Sequence, residues 1–428
     1  MVKNKEEQHV DWLRKLPECL LLQILLKLGT KDVVKCSVLS SGWRNLWQLV
    51  PGLDLDFDDF RDHVAFASFI DRFLGLNSES RLQHFKFTYE PEEEEENVDV
   101  SRLTQWISTA IERKVQHLHV WYTIGRGFEL EIPQSVYTCE SLVSLNLRGV
   151  ILPDPKFVSL PCVKVITLDF VRCATDLGLG RLISGCPLLK SFALTNSLFG
   201  SGSNEDVVVS VDAPRLEYLK IRDHYAQRFI IHSPGSLVEA DIAIAFNKLC
   251  KNTFDPDNVP MRNMIRSFLI AISGVKVMKI HTSSLKAIYE NSRRQRLHLF
   301  PNLTSLCADL DGYRWEMLPI FLESCPNLKH LSLKFYICTS QEISIVPPGT
   351  RWCLLPSLEF VEIEEGASLT EIYEAREMKL VSYFLEKSTI LKKLTLSLHP
   401  SRKEKASVIL NKFLSIPTRS PSCQVVVL

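Results

Sequence analysis

Cys325-Pro326-Asn327-Leu328-Lys329-His330-Leu331-Ser332-Leu333 is the stretch on which the fold turns. After the proline, apolar residues stand at Leu328, Leu331 and Leu333, the spacing L-x-x-L-x-L. Alternating apolar and polar residues mark a strand with one side toward a core. Proline just ahead of it is tolerated because the ladder has not begun. Cys186-Pro187-Leu188-Leu189 is a near copy of the preamble, and Ala213-Pro214-Arg215-Leu216, Phe300-Pro301-Asn302-Leu303 and Leu355-Pro356-Ser357-Leu358 vary it. With apolar substitutes allowed, the unit starts at Leu82, Val115, Leu142, Val163, Leu189, Leu216, Leu237, Val275, Leu303, Leu328, Leu358 and Leu391.

Working outward, these starts lie 21 to 38 residues apart, about 28 on average, near the roughly 20–29 residues of a leucine-rich repeat. The physical reading is an α/β solenoid. Each unit gives one short parallel strand and a helical or irregular return, and stacking buries what one unit cannot bury alone. We place the repeats at 80–350. An α/β sheet of ordinary topology is the competing reading. Residues 177–185, Met261 to Ala271 and Trp315 to Ser324 read as return helices, and Val64 to Leu76 as a helix with Phe66, Phe69, Ile70 and Phe73 on one side. The run Glu92 to Glu96, the loop Phe199 to Glu205 and the cations Arg293, Arg294 and Arg296 read as solvated segments.

Upstream, Asp11 to Trp47 reads DWLRKLPECLLLQILLKLGTKDVVKCSVLSSGWRNLW. Leu16-Pro17 opens a helix at a position where the missing N–H is not needed. Leu21, Ile24, Leu25 and Leu28 then share one face. Gly29 stops the helix, and Thr30 or Asp32 is suited to cap the next. A third short segment carries Val38, Leu39, Trp43, Leu46 and Trp47. Three such helices hold more apolar surface than they can bury among themselves, so a partner or the rest of the chain covers the surplus. An ordinary three-helix cap on a larger core fits the periodicity alone.

The pattern LP-x-x-LL-x-x-IL, then Lys31-Asp32-Val33-Val34, then Ser37-x-Leu39-Ser40-x-x-Trp43-Arg44-x-Leu46-Trp47 resembles the F-box. That resemblance covers 8–54 and implies a three-helix F-box docked on a Skp-type adaptor, which hangs from the cullin of a ubiquitin ligase. It assigns adaptor contacts to Leu16, Pro17, Leu20, Leu21, Ile24, Leu25, Asp32, Val33, Leu39, Trp43, Leu46 and Trp47. Val50 to Phe57 is similar to the strand by which such chains enter a repeat array. From Trp352 the chain reads strand, helix, strand, helix, strand and ends in Val425-Val426-Val427-Leu428. This last part, 352–428, resembles the FBD module of plant F-box/leucine-rich-repeat proteins. It is expected to continue the sheet and close it with a covered edge.

Composition narrows the function. The chain has 428 residues, with 50 Lys plus Arg against 50 Asp plus Glu. A nucleic-acid binder would carry a basic excess. There is no apolar leader in the first residues and no membrane-length apolar run. We therefore expect a cytoplasmic and/or nuclear protein with its 12 cysteines reduced. No phosphate-loop, dinucleotide, zinc-protease or nucleophile-elbow pattern is present, so neither enzymatic chemistry nor a cofactor is expected.

In L-x-x-L-x-L the residues between the apolar ones point out on the concave side. His84, Lys86, His117, His119, Trp121, Arg148, Tyr218, Lys220 and Arg222 are the candidate contacts to a target protein, cations and aromatics together, while Glu239 and Asp241 begin an acidic stretch. If the first two units adjoin, His84 and His117 are neighbours. Lys86 then sits beside His119 and opposes a metal ion, and no carboxylate is at hand, so a polar recognition patch is the better reading. The resemblance implies the substrate-recognition subunit of a Skp-cullin-F-box ligase. A hormone or small-molecule sensor on the same scaffold, and an adaptor-free interaction scaffold, stay open.

Overall fold

Each of the twelve repeat starts leads into a strand whose first residue lies two positions further on, from His84 after Leu82 to Lys393 after Leu391. The computed structural model describes residues 16–39, 42–76, 80–90, 99–123, 130–199, 207–223, 228–232, 234–244, 246, 259–292, 296–311, 318–336, 355–365 and 371–428. The glutamate run at 92–96, most of the loop at 199–205, Arg293, Arg294 and the beginning of the helix expected from Trp315 lie outside the described residues, as does 8–15 of the F-box-like segment. The chain packs as two compact units, 1–188 and 189–428.

The first unit opens with α1 (Glu18–Leu25) and α2 (Thr30–Cys36). Among the described residues of the third segment, Leu46–Gln48 forms a 3-10 turn. Then come β1 (Gly52–Asp56), α3 (His63–Gly75), β2 (His84–Tyr89), α4 (Val100–Glu112), β3 (His117–Tyr122), β4 (Ser144–Arg148), β5 (Ile151–Leu152), β6 (Val165–Asp169), β7 (Arg172–Cys173) and α5 (Asp176–Ser184). A parallel sheet runs β1-β2-β3-β4-β6. Its register aligns Gly52, His84, His117, Ser144 and Val165 in one lateral row. β5 pairs with β7 beside it.

The alternation seen in the sequence now has a cause. Phe85, Phe87 and Tyr89 on β2, and Leu118, Val120 and Tyr122 on β3, are buried. Leu103, Trp106, Ile107 and Ala110 of α4 are buried too, at the i, i+3, i+4, i+7 spacing of one helix face. Asp62, Asp99 and Thr175 cap α3, α4 and α5 by accepting backbone N–H bonds. Gly149, just past β4, has φ +71°, and a Cβ there would fall 1.6 Å from the Tyr122 carbonyl oxygen, so only glycine fits.

The second unit contains β8 (Ser191–Thr195), β9 (Leu198–Phe199), β10 (Val208–Val211), β11 (Tyr218–Asp223), β12 (Arg228–Ile231), β13 (Glu239–Ile244), α6 (Val259–Ala271), β14 (Val277–Ile280), α7 (Thr282–Ser292), β15 (Ser305–Asp311), α8 (Leu318–Glu323), β16 (His330–Tyr336), β17 (Phe360–Glu365), α9 (Glu371–Lys387), β18 (Lys393–Ser397), α10 (Ala406–Leu414) and β19 (Gln424–Val427). Its parallel sheet runs β8-β11-β13-β14-β15-β16-β17-β18-β19, with β10-β12 a separate pair. The row Ser191, Tyr218, Glu239, Val277, Ser305, His330, Phe360, Lys393 and Gln424 repeats the lateral register. The stretch from Phe360 on is the expected strand, helix, strand, helix, strand.

Two sheet edges differ. The outer edge of β1 is covered, because the Asp54 N–H donates to Thr30 Oγ1 at 2.8 Å. Thr30 therefore does not cap α2, whose N-cap is Gly29. The edge of β19 departs from the expected closure: among the described residues, β19 pairs with β18 alone. Among the described residues no helix is long and apolar enough to cross a membrane.

Candidate functional site

The N-terminal segment has a small core of its own. Leu21, Leu25, Val33, Trp43, Leu46 and Val50 bury one another, with Leu16, Leu22, Leu26, Cys36 and Trp47 partly buried against them. Trp47 also stacks on Phe69 of α3, ring centroids 5.8 Å apart. This corrects the candidate contact set. Leu21, Leu25, Val33, Trp43 and Leu46 hold the segment together and have little surface to give, while Leu16 and Trp47 give part of theirs. Pro17, Leu20, Ile24, Asp32 and Leu39 are exposed.

The exposed residues form a pattern. Leu20 and Ile24 are each 43% exposed, and Leu28 beyond them is 41% exposed. Spacing of four puts all three on one side of α1 and the turn that continues it. Val38 and Leu39, after α2, are 85% and 61% exposed. Leu28 and Val38 were not among the sequence candidates for contact. The signal for Leu28 was its place four residues after Ile24. Asp32 is engaged locally, accepting from Lys35 Nζ at 2.8 Å.

The less buried strand face of the first unit carries six of the predicted target contacts. Register sets His84 beside His117 and Lys86 beside His119, as expected. The His117 Nδ1 and Ser144 Oγ are 2.8 Å apart, and the His119 ring leans on Trp121 at 4.9 Å. Burial lowers the pKa of His84 and His117. The same burial, helped by Lys86, brings His119 down to about 4, so the imidazoles are neutral at pH 7. A carboxylate is at hand after all, since Lys86 Nζ lies 3.1 Å from Asp54 Oδ1. The Arg148 guanidinium sits over the Trp121 ring at 5.3 Å. Its Nε is 3.7 Å from Asp169 Oδ2 and 3.8 Å from Glu90 Oε1. The expected patch of cations and aromatics is thus an aromatic surface whose two cations each face carboxylates.

In the second unit Tyr218, Lys220 and Arg222 project from β11, all half-buried. Arg222 grips Asp241 through both branches, Nη2 to Oδ2 at 2.9 Å and Nε to Oδ1 at 3.2 Å. His281 Nε2 reaches Asp241 Oδ1 at 3.0 Å, and its Nδ1 donates to Asp309. Hydrogen bonds to Asp241 and Asp309 outweigh burial and raise His281 to about 9. Burial would raise Asp241, but bonds from His281 and Arg222 prevail and hold it down to about 2. Asp241 is therefore the centre of an alternating ladder, Arg222–Asp241–His281–Asp309, rather than the start of an acidic stretch. Arg222, His281 and Asp309 each lie six residues after their unit's first apolar residue, the signal by which sequence could have linked them.

Comparison with known proteins places the chain. Three family models match: the F-box domain over 13–53, the leucine-rich repeats of FBD-associated F-box protein At5g56370 over 103–234, and FBD over 349–396. F-box/LRR-repeat protein 13 of Arabidopsis thaliana is 49% identical over 449 residues, spanning all of this chain and 98% of that protein. The FBD-associated F-box protein At4g13985 of the same plant is 48% identical, covering 98% of this chain and 96% of that one. F-box/FBD/LRR-repeat protein At1g78750, also from Arabidopsis thaliana, is 45% identical over all of this chain and 98% of its own length. A structure of a Leptospira interrogans LRR protein covers 89% of the chain and 91% of its own at 14% identity and TM-score 0.26, and bears no weight here. Fold and surfaces define an F-box protein with a leucine-rich-repeat sheet. The chain belongs to the plant FBD-associated F-box/leucine-rich-repeat family.

Proposed function

We propose that this chain is the substrate-recognition subunit of an SCF-type (Skp-cullin-F-box) ubiquitin ligase, working in the cytoplasm and/or nucleus. Leu20, Ile24 and Leu28, joined by Pro17, Val38 and Leu39, dock the Skp-type adaptor and through it the cullin. The concave strand faces hold a target protein. The mechanism is proximity: the receptor raises the local concentration of target lysines near a charged conjugating enzyme. No residue of the chain makes or breaks a bond in this scheme.

The observation that carries the proposal is the split of one short helix. Leu21 and Leu25 are buried in the segment's own core while Leu20 and Ile24 stand exposed beside Leu28. A segment that has finished its own core and still shows a row of large aliphatic side chains is built to be covered by another chain. Co-expression with a Skp-type adaptor tests it. Adaptor and cullin are expected to co-purify with the wild-type chain and to be lost from Leu20→Asp/Ile24→Asp, with helix content unchanged. Undiminished recovery with that double variant would refute the assignment.

A further inference from the structure

A feature outside these surfaces is the outer edge of β19. Gln424 N–H donates to the Lys392 carbonyl and Leu428 N–H to the Leu396 carbonyl, both at 2.9 Å. Alternation along a parallel strand then turns the N–H and C=O of Val425 and Val427 away from β18. Among the described residues nothing pairs with that side. Edge strands are ordinarily blunted by charge, proline, a bulge or a covering element. In the first unit the outer edge of β1 is met by the Thr30 hydroxyl, which accepts from the Asp54 N–H at 2.8 Å. β19 reads Gln-Val-Val-Val and carries no such guard.

We infer that β19 is a docking edge for an extended acidic peptide segment of a partner protein, which adds to the sheet as a further strand. Backbone pairing with Val425 and Val427 supplies the affinity, as in other strand-addition complexes. The charge argues for the sign of the occupant. Residues 400–428 hold five Lys or Arg and one acidic residue, Glu404. Arg402 is consumed by the buried Glu365, but Lys403, Lys412 and Arg419 are exposed. α10 packs beside β19, and its Val408 and Lys412, one turn apart on the same side of the helix, are exposed. The segment that carries β19 is thus net positive, with cations left exposed. A second copy fits worse, because pairing two β19 strands about a twofold axis brings α10 against α10 and like charges together. The inference is independent of adaptor binding, since its residues lie in the other unit.

The test uses the full chain and a fluorescent nine-residue peptide, valines alternating with threonines between paired glutamates, read by anisotropy. The peptide is expected to bind, to weaken as salt rises, and to lose about tenfold in affinity against Val427→Pro, which removes one outward N–H but no bond to β18. Lys412→Glu/Lys403→Glu is expected to weaken it similarly. A peptide N-methylated at alternate amides tests the same pairing without altering the protein, and one of its two registers is expected to fail. Equal binding of a lysine-flanked peptide, indifference to N-methylation in both registers, or no binding of the acidic peptide would overturn the inference. So would a concentration-dependent dimer in sedimentation that Val427→Pro abolishes, since the edge would then belong to a second copy.

Discussion

Leu25 and Ile24 are neighbours in sequence and opposites in role. Leu25 is 1% exposed within the segment's core, and Leu25→Ala is expected to cost about 2–5 kcal/mol by cavity formation. Ile24→Ala trims a side chain that is 43% exposed and should cost under about 1 kcal/mol. Urea unfolding of the two variants checks the contrast, and equal losses would mean the helix is turned differently. Another residue-scale effect is pH dependence through His281. Its pKa in the folded chain is about 9, held up by Asp241 and Asp309, against about 6.5 when unfolded. A raised pKa means the folded state binds the proton more tightly. The stabilisation is therefore complete below about pH 6.5 and lost as pH rises through about 9. Asp241, held down to about 2, contributes in the opposite sense, and its share is lost only below about pH 4. The wild-type urea midpoint is expected to fall between pH 6.5 and 9.5, and His281→Gln to start lower and lose that fall. Parallel curves for both proteins would remove His281 from the account.

Elements were the most legible scale. Twelve unit starts found by a six-residue pattern each lead into a strand, because a strand in a stacked sheet must bury its alternate residues and no local rule competes. The return helices were less so. α5, α6 and α9 show in the sequence, but α4 and α7 lie in stretches read there only as spacing between units. α4 in fact carries the full amphipathic spacing from Leu103 to Ala110. Of the third F-box segment, expected helical from its apolar content, the described residues show a 3-10 turn at Leu46–Gln48. Which leucines of α1 face inward was not legible, since periodicity marks a stripe but not which part of it meets the protein's own core. Gly149→Ala puts a methyl group into the Tyr122 carbonyl at a left-handed φ and is expected to destabilise by about 1–3 kcal/mol. Thr30→Val leaves the Asp54 N–H without the oxygen now 2.8 Å away, at about 1 kcal/mol. Faster amide exchange at Asp54 checks it, and an unchanged rate would show that the hydroxyl does not guard the β1 edge.

At the scale of the whole molecule, sequence supplied the plan, with F-box, repeats and FBD module in order, and missed what depends on lateral register. The Arg222–Asp241–His281–Asp309 ladder joins residues from four repeat units, and Asp54 reaches Lys86 across a strand pair. Neither contact exists until strands are aligned, so charges that read as patches along the chain become neutralised pairs across it. The apolar row from Leu20 to Leu28 has no such partner in its own core. Calorimetric titration of a purified Skp-type adaptor into this chain tests the central claim most directly. Wild type and Trp121→Ala should bind alike, and Leu20→Glu/Ile24→Glu should bind at least about a hundredfold more weakly, about 2.7 kcal/mol. Equal affinity in all three would contradict the account.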